Sequence, residues 1–189
     1  MAGFDQVLGQ EHIKKFFRNA AATGNVPHAC ILSGEEGMGK RKLAEAFARN
    51  LLCERGGAEA CGQCHSCKQT AAGSHPDLIF VTHEKPASIG VDDIRQQVNN
   101  DIAIKPYSSK YKIYIVDEAE KMTPQAQNAL LKTIEEPPSY GIIMLLTNNN
   151  EAMLPTIRSR CITFHLKPVR QSQIETVLEE KYSIPDYKA

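Results

Sequence analysis

The segment Ser33–Lys42, "SGEEGMGKRK", follows the apolar run "HACIL" (His28–Leu32) and precedes apolar positions repeating at helical spacing. Gly34, four residues, then Gly39 and Lys40 fit a glycine-rich turn whose backbone N–H groups and following helix N-terminus cradle phosphate oxygens. Gly37 lies inside the turn, and Lys40 is placed to reach the outer phosphates. The pattern calls next for a Ser or Thr hydroxyl on the nucleotide's magnesium, and the chain has Arg41 instead. A guanidinium cannot ligate magnesium, and its charge opposes a dication. Glu35 and Glu36 add negative charge where phosphates approach. The architecture points to nucleotide, while the local chemistry argues against hydrolysis. A strand-to-helix turn without any ligand is the alternative that the pattern leaves open.

Outward from this turn, two hydrophobic periods alternate, which predicts an α/β fold. Leu43, Phe47 and Leu51 mark a helix after the turn, and "QEHIKKFFRNA" places Ile13, Phe16, Phe17 and Ala20 on one helical face before it. "DLIFVT", "KIYIVDEAE", "GIIMLLT" and "CITFHL" read as further strands, making five with "HACILSG". The continuous run "GIIMLLT" suits a central parallel strand covered on both faces. "VDDIRQQV" reads as a helix with Val91, Ile94 and Val98 inward. "TPQAQNALLKTIEE" is a helix capped by Thr123, with Pro124 at its first position and Pro137–Pro138 as its stop. "RQSQIETVLEEKY" is a last amphipathic helix. Strands separated by helices imply right-handed crossovers and a mainly parallel five-stranded sheet.

Asp117 and Glu118 close the strand "IYIVDEAE". Such a pair holds magnesium through water and activates the attacking water. Solvated acids at a strand end are common, but pairing with the glycine turn gives these two weight. Thr147 and Asn148 end the next strand, where a polar group could sense a terminal phosphate or simply start an asparagine turn.

Cys61, Cys64 and Cys67 form C-x-x-C-x-x-C in "CGQCHSC", with Cys53 upstream across a foldable loop. Four thiolates make the closed tetrahedral set of a structural zinc site, favoured here over a redox dithiol or an iron–sulfur cluster. His65 and His75 rank below Cys53 as the fourth ligand. Cys30 and Cys161 lie in apolar strand sequence and read as packing residues. Arg158 and Arg160 in "TIRSRC" are ordinary surface arginines unless the chain works in a ring, where one could reach a neighbour's phosphate.

The 189 residues hold 22 Lys plus Arg and 22 Asp plus Glu, with 42% hydrophobic residues. This is ordinary globular composition, and the neutral balance argues against a chain that holds nucleic acid alone. No apolar run reaches membrane-spanning length, and "MAGFDQVLGQ" has no secretory character, so a cytoplasmic location is expected.

Together the degenerate glycine turn, the cysteine insertion, "VDEAEKM", "NALLKTIEEPP" and "SRC" resemble the bacterial DNA polymerase III clamp-loader subunits of the AAA+ family, from about Phe4 to about Leu166. The resemblance implies an AAA+ ATPase-like domain over residues 1–167, with a zinc module at about 53–75. Residues 168–189 would begin a helical lid. The gamma/tau motors share the zinc module but carry Thr or Ser after the turn's lysine. Arg41 therefore makes the chain similar to the delta-prime type, which typically lacks a working phosphate turn.

Under that resemblance Arg160 is a finger offered in trans to a neighbouring ATPase, and Cys53, Cys61, Cys64 and Cys67 bind Zn2+. Gly34, Gly37, Gly39, Lys40, Arg41, Asp117 and Thr147 are the remnant nucleotide site, with Glu118 as a vestigial base; ATP and Mg2+ are left open. Implied partners are gamma/tau and delta subunits, and through them the sliding clamp and primed DNA, with no membrane. The chain would be a component of the polymerase III holoenzyme with little ATPase of its own, and a monomer without the family's C-terminal collar. Two alternatives stand beside this: an active gamma/tau-like motor, and a zinc-stabilised nucleic-acid-binding module.

Overall fold

The fold is built around the strand Gly141–Thr147, every residue of which is buried. The computed structural model describes residues 3–182. In chain order the strands are β1 (Ala29–Ser33), β2 (Leu78–Phe80), β3 (Lys112–Val116), β4 (Gly141–Thr147) and β5 (Ile162–His165). They form one sheet in the order β2-β3-β4-β1-β5, and every neighbouring pair is parallel. β4 is the middle strand, as its unbroken apolar run demands. β2 and β5 are the short edges.

Side chains alternate between the two faces. Cys30 and Leu32 of β1, Ile113 and Ile115 of β3, and Ile142, Met144 and Leu146 of β4 face one core. That core is closed by helices α1 (Glu11–Thr23) and α2 (Lys40–Leu52) through Ile13, Phe17, Leu43 and Phe47. The Phe17 and Phe47 rings stack with centroids 3.9 Å apart, and Phe164 of β5 meets Phe17 edge-on at 5.2 Å. The fully buried Phe17 and Phe47 rings each contribute about 1.5–3 kcal/mol by leaving water. Phe16, expected on the inner face, is 36% exposed at the rim, where it touches Phe164. Phe17 and Ile13 already fill the line of contact with the sheet, so the adjacent position is turned outward.

Ile31, Tyr114, Val116, Ile143 and Leu145 face the opposite core. There α3 (His65–Ala71) has no part; the cover comes from α4 (Val91–Ile94), α5 (Pro124–Glu135) and α6 (Pro155–Arg158). The expected single helix over "VDDIRQQV" is instead α4 followed by a π turn, Arg95–Asn99. The wider turn leaves Val91 half-buried while Ile94 and Val98 are both buried. α5 begins as its sequence requires: the Thr123 hydroxyl accepts from Ala126 N–H at 3.2 Å, and Pro124 follows. A cap of this kind is worth about 1 kcal/mol. Cys161 precedes β5 rather than lying in it, and is half-buried. The last helix among the described residues is α7 (Gln171–Tyr182).

Parallel register brings the C-terminal ends of three strands level. Ser33 is opposite Thr147, and Val116 is opposite Leu145. The glycine turn, Asp117 and Asn148 therefore leave the sheet at one edge, where ligands of open parallel sheets bind.

Candidate nucleotide cavity and metal centre

A cavity of about 690 Å³ opens above those strand ends. One wall is the turn itself, Gly37 to Lys42; another is Asp117, Glu118, Glu120 and Asn148. Val7, Leu8, Val169, and Ile174 and Val177 of α7 supply an apolar side. Gly37 and Gly39 have φ of +81° and +85°, a conformation that side-chain-bearing residues rarely adopt. These two glycines let the chain fold back so that α2 starts at Lys40.

Two of the turn's basic side chains, Lys40 and Arg41, have partners within the chain. Lys40 Nζ donates to the carbonyls of Gly34 at 2.6 Å and Glu35 at 2.9 Å. Arg41 donates through Nε to Glu45 Oε1 at 3.1 Å and places Nη1 3.5 Å from Asp117 Oδ2. Its guanidinium also lies over the Phe80 ring, 4.8 Å from the centroid. Glu118 is paired as well, its Oε2 lying 2.8 Å from Lys121 Nζ. The Glu118 backbone is left-handed, at φ +49°. Lys121 also donates to Pro86 O, which anchors it. Both acids of the expected hydrolytic pair thus face a cation of their own chain. A magnesium ion, left open by the family resemblance, does not fit these residues, because the hydroxyl ligand is absent and a guanidinium stands against the acid that would hold the ion.

Thr147 lies at the strand end as expected but is fully buried. Its hydroxyl is spent in a turn, donating to Asn149 O and accepting from Asn149 N–H. Asn148, the next residue, lines the cavity, with its N–H donating to Glu120 Oε2 at 3.3 Å. Gly34 pairs its N–H with Thr147 O and supplies the carbonyl that holds Lys40, lying behind the lining residues. Contributors missed in the sequence include Lys121, Glu45, Lys42, Glu120 and the α7 apolar face. The first two were visible as an i,i+3 and an i,i+4 charge pair, to Glu118 and Arg41 respectively.

Arg160 is apart from this cavity. Its Nε is 2.8 Å from Glu135 Oε1 at the end of α5, and its Nη1 donates to Thr156 O at 3.0 Å. Arg158 is engaged by Glu151 at 2.6 Å. Both arginines are thus held on the outside of the second helical layer.

The four cysteines do converge. The sulfurs of Cys53, Cys61, Cys64 and Cys67 all lie within 4.8 Å of one another, with Cys53 and Cys64 4.0 Å apart. Tetrahedral ligation at about 2.3 Å requires sulfurs near 3.8 Å, so the set fits a metal ion such as zinc. Cys53 caps α2, and Cys64 caps α3, its sulfur accepting from Cys67 N–H. Cys61 N–H points at Cys53 Sγ, and Cys64 N–H at Cys61 Sγ. Donors to sulfur favour thiolate, and those from Gln63 and Cys64 pull the Cys61 thiol down to about 6. Burial pushes Cys67 up to about 12, the opposite direction from Cys61, and a cation held among the four sulfurs would favour its thiolate. Outside the ligand set, Glu54 accepts from both Ser66 N–H and Ser66 Oγ, which ties the loop to the start of α3. The first of these bonds holds the Glu54 carboxyl below its usual range.

His75 is outside the cluster. It is buried, accepting from Asp77 N–H at Nδ1, with Ser109 Oγ 3.3 Å from Nε2. Cys30 and Cys161 are raised by burial, Cys161 to about 12, and stay neutral packing thiols. Among the described residues no helix is long and apolar enough to cross a membrane.

A family model described as DNA polymerase III, delta subunit, matches residues 9–170. The DNA polymerase III subunit tau/gamma of Haemophilus influenzae is 38% identical over 172 residues, covering 90% of this chain and 25% of that protein. The tau subunit of Bacillus subtilis is also 38% identical over 172 residues, covering 90% of this chain and 30% of that protein. The chain therefore spans between 25% and 30% of the length of these relatives. Among solved structures, a DNA polymerase III gamma subunit-related protein of Thermotoga maritima superposes with a TM-score of 0.60 at 26% identity, covering 90% of this chain and 49% of that one. The RuvB branch migration motor of the same organism has a TM-score of 0.60 at 16% identity, covering 96% and 53%, and shares the fold. On its match across most of its length, the chain belongs to the DNA polymerase III delta-subunit family, among the clamp-loader AAA+ proteins.

Proposed function

We propose that the chain is the ATPase-like part of a replication clamp-loader subunit that acts in the cytoplasm, supplies Arg160 in trans to a neighbouring ATPase, and hydrolyses little ATP itself. The observation that carries this reading is the pairing of both acids: Arg41 stands against Asp117 and Lys121 against Glu118. An activated water and a bound metal both need those carboxylates free. Arg160 lies outside its own cavity, which agrees with a role at another subunit's site. Residues 1–167 then form the AAA+ domain, with a zinc-stabilised module at about 53–75. Residue 168 onward begins the lid, in keeping with Ile174 and Val177 of α7 lining the cavity. Gamma/tau and delta subunits are the proposed partners, acting on the sliding clamp and primed DNA.

The test is Arg160→Ala in the full subunit, assembled with its loader. DNA-stimulated ATPase falls by the share of one site, and single-turnover hydrolysis at that neighbouring site slows by about 10³-fold or more. Unchanged hydrolysis there removes the finger role. The gamma/tau-like motor is the second reading, favoured by the 38% identity to tau and gamma relatives. It requires magnesium-dependent turnover by this chain's own cavity, and its absence sets that reading aside.

A further inference from the structure

We infer that Arg41 is a resident replacement for the divalent ion, so that the cavity binds a nucleoside polyphosphate free of magnesium. The inference deepens the clamp-loader reading and rests on it for the class of ligand. Its basis is the mismatch between the site and a metal.

A hydrolytic site of this architecture holds its metal between the hydroxyl after the turn's lysine and the acid at the end of the neighbouring strand. Here both positions belong to one side chain and its partner. Arg41 occupies the hydroxyl's place in sequence, and its Nη1 reaches 3.5 Å from Asp117 Oδ2. Glu45 Oε1 at 3.1 Å and the Phe80 ring at 4.8 Å hold the same guanidinium from two other sides. A dication would have to displace this guanidinium from Asp117 against like-charge repulsion. The guanidinium also presents several N–H donors, a geometry suited to phosphate oxygens.

The cavity keeps other means of holding a polyphosphate. Lys40 and Lys42 line it beside Gly37 and Gly39, and Lys42 has no ion-pair or hydrogen-bond partner among the described residues. The volume of about 690 Å³ and the apolar wall of Val7, Leu8, Ile174 and Val177 leave room for a base and sugar. The same lining carries Glu36, Asp117, Glu118 and Glu120, of which Arg41 pairs Asp117 and Lys121 pairs Glu118. The remaining N–H donors of Arg41 and the Lys42 ammonium are therefore what meets the charge that magnesium would neutralise.

Calorimetric titration of the full chain with ATP, once in magnesium and once in excess EDTA, tests the inference. Binding in EDTA at an affinity equal to or above that in magnesium is expected. Arg41→Thr, an exposed change on the first turn of α2, should restore the ordinary order, with magnesium strengthening binding at least about tenfold. Its far-ultraviolet circular dichroism is compared with that of the unaltered chain, and Arg41→Gln serves as a second variant lacking the charge. ATP binding that needs magnesium in the unaltered chain overturns the inference. So does the absence of any binding in EDTA. Either failure leaves the Arg160 experiment unaffected, because that one reads hydrolysis at a neighbour's site.

Discussion

His75 shows how much a single residue owes to its surroundings. It looked like a reserve metal ligand, yet the fold buries it with Asp77 N–H on Nδ1. Asp77, itself buried, accepts from the backbone N–H groups of Tyr107, Ser108 and Ser109 and so anchors the loop before β3. Burial lowers the His75 value below its ordinary 6.5, with the charges of Asp77 and Glu54 opposing that shift in part. In the window below 6.5 the unfolded chain therefore binds more protons than the folded one. Stability is complete above that value and is lost as pH falls through the lower folded value. Unfolding by urea at successive pH values should show this loss, and His75→Gln should flatten the acid limb. Identical limbs in the two proteins would remove His75 as the cause. Spacing alone could not assign this residue, since nothing in "SHPD" tells which backbone donor the ring will meet.

At the scale of the element, the cysteine knuckle was legible because its spacing is itself the geometry. Cys64 and Cys67 sit at the cap and inside the first turn of α3, and three residues of helix bring their sulfurs to one side. Cys53 was a longer extrapolation, resting on the loop of Glu54 to Ala60 folding back. Elemental analysis of protein purified without chelator should find about one zinc per chain. Cys67→Ser should lose the metal and destabilise the fold by about 2 kcal/mol or more, about 4–8 °C in a chain of this size. Cys161→Ser should keep the metal. Metal-free protein of full stability would defeat the zinc reading. The helix over "VDDIRQQV" was less legible, because an α turn and a π turn differ by one residue and the packing of Val98 decides between them.

Across the whole molecule, one contact joins the two ends of the domain. Gln10 donates through Nε2 to Lys167 O at 2.6 Å and accepts from Lys167 N–H at 3.0 Å. Its own backbone is left-handed, at φ +59°, which aims the side chain at the exit from β5. The clamp holds the segment of Val7 and Leu8 beside Val169, and so sets one side of the cavity. Gln10→Ala should cost about 1–3 kcal/mol, measured by urea unfolding, since a part-buried backbone pair is left unsatisfied. An unchanged midpoint would show that water replaces the amide freely. Local pattern by itself determined the strand–turn–helix at Ser33–Lys42, the five strands, the capped α5 and the cysteine set, because each depends on neighbours in sequence. Tertiary structure alone decided that Arg41 meets Asp117, that Asn148 rather than Thr147 lines the cavity, and that Gln10 reaches Lys167. Those outcomes depend on which strands lie side by side and in what register, and no short-range period encodes that.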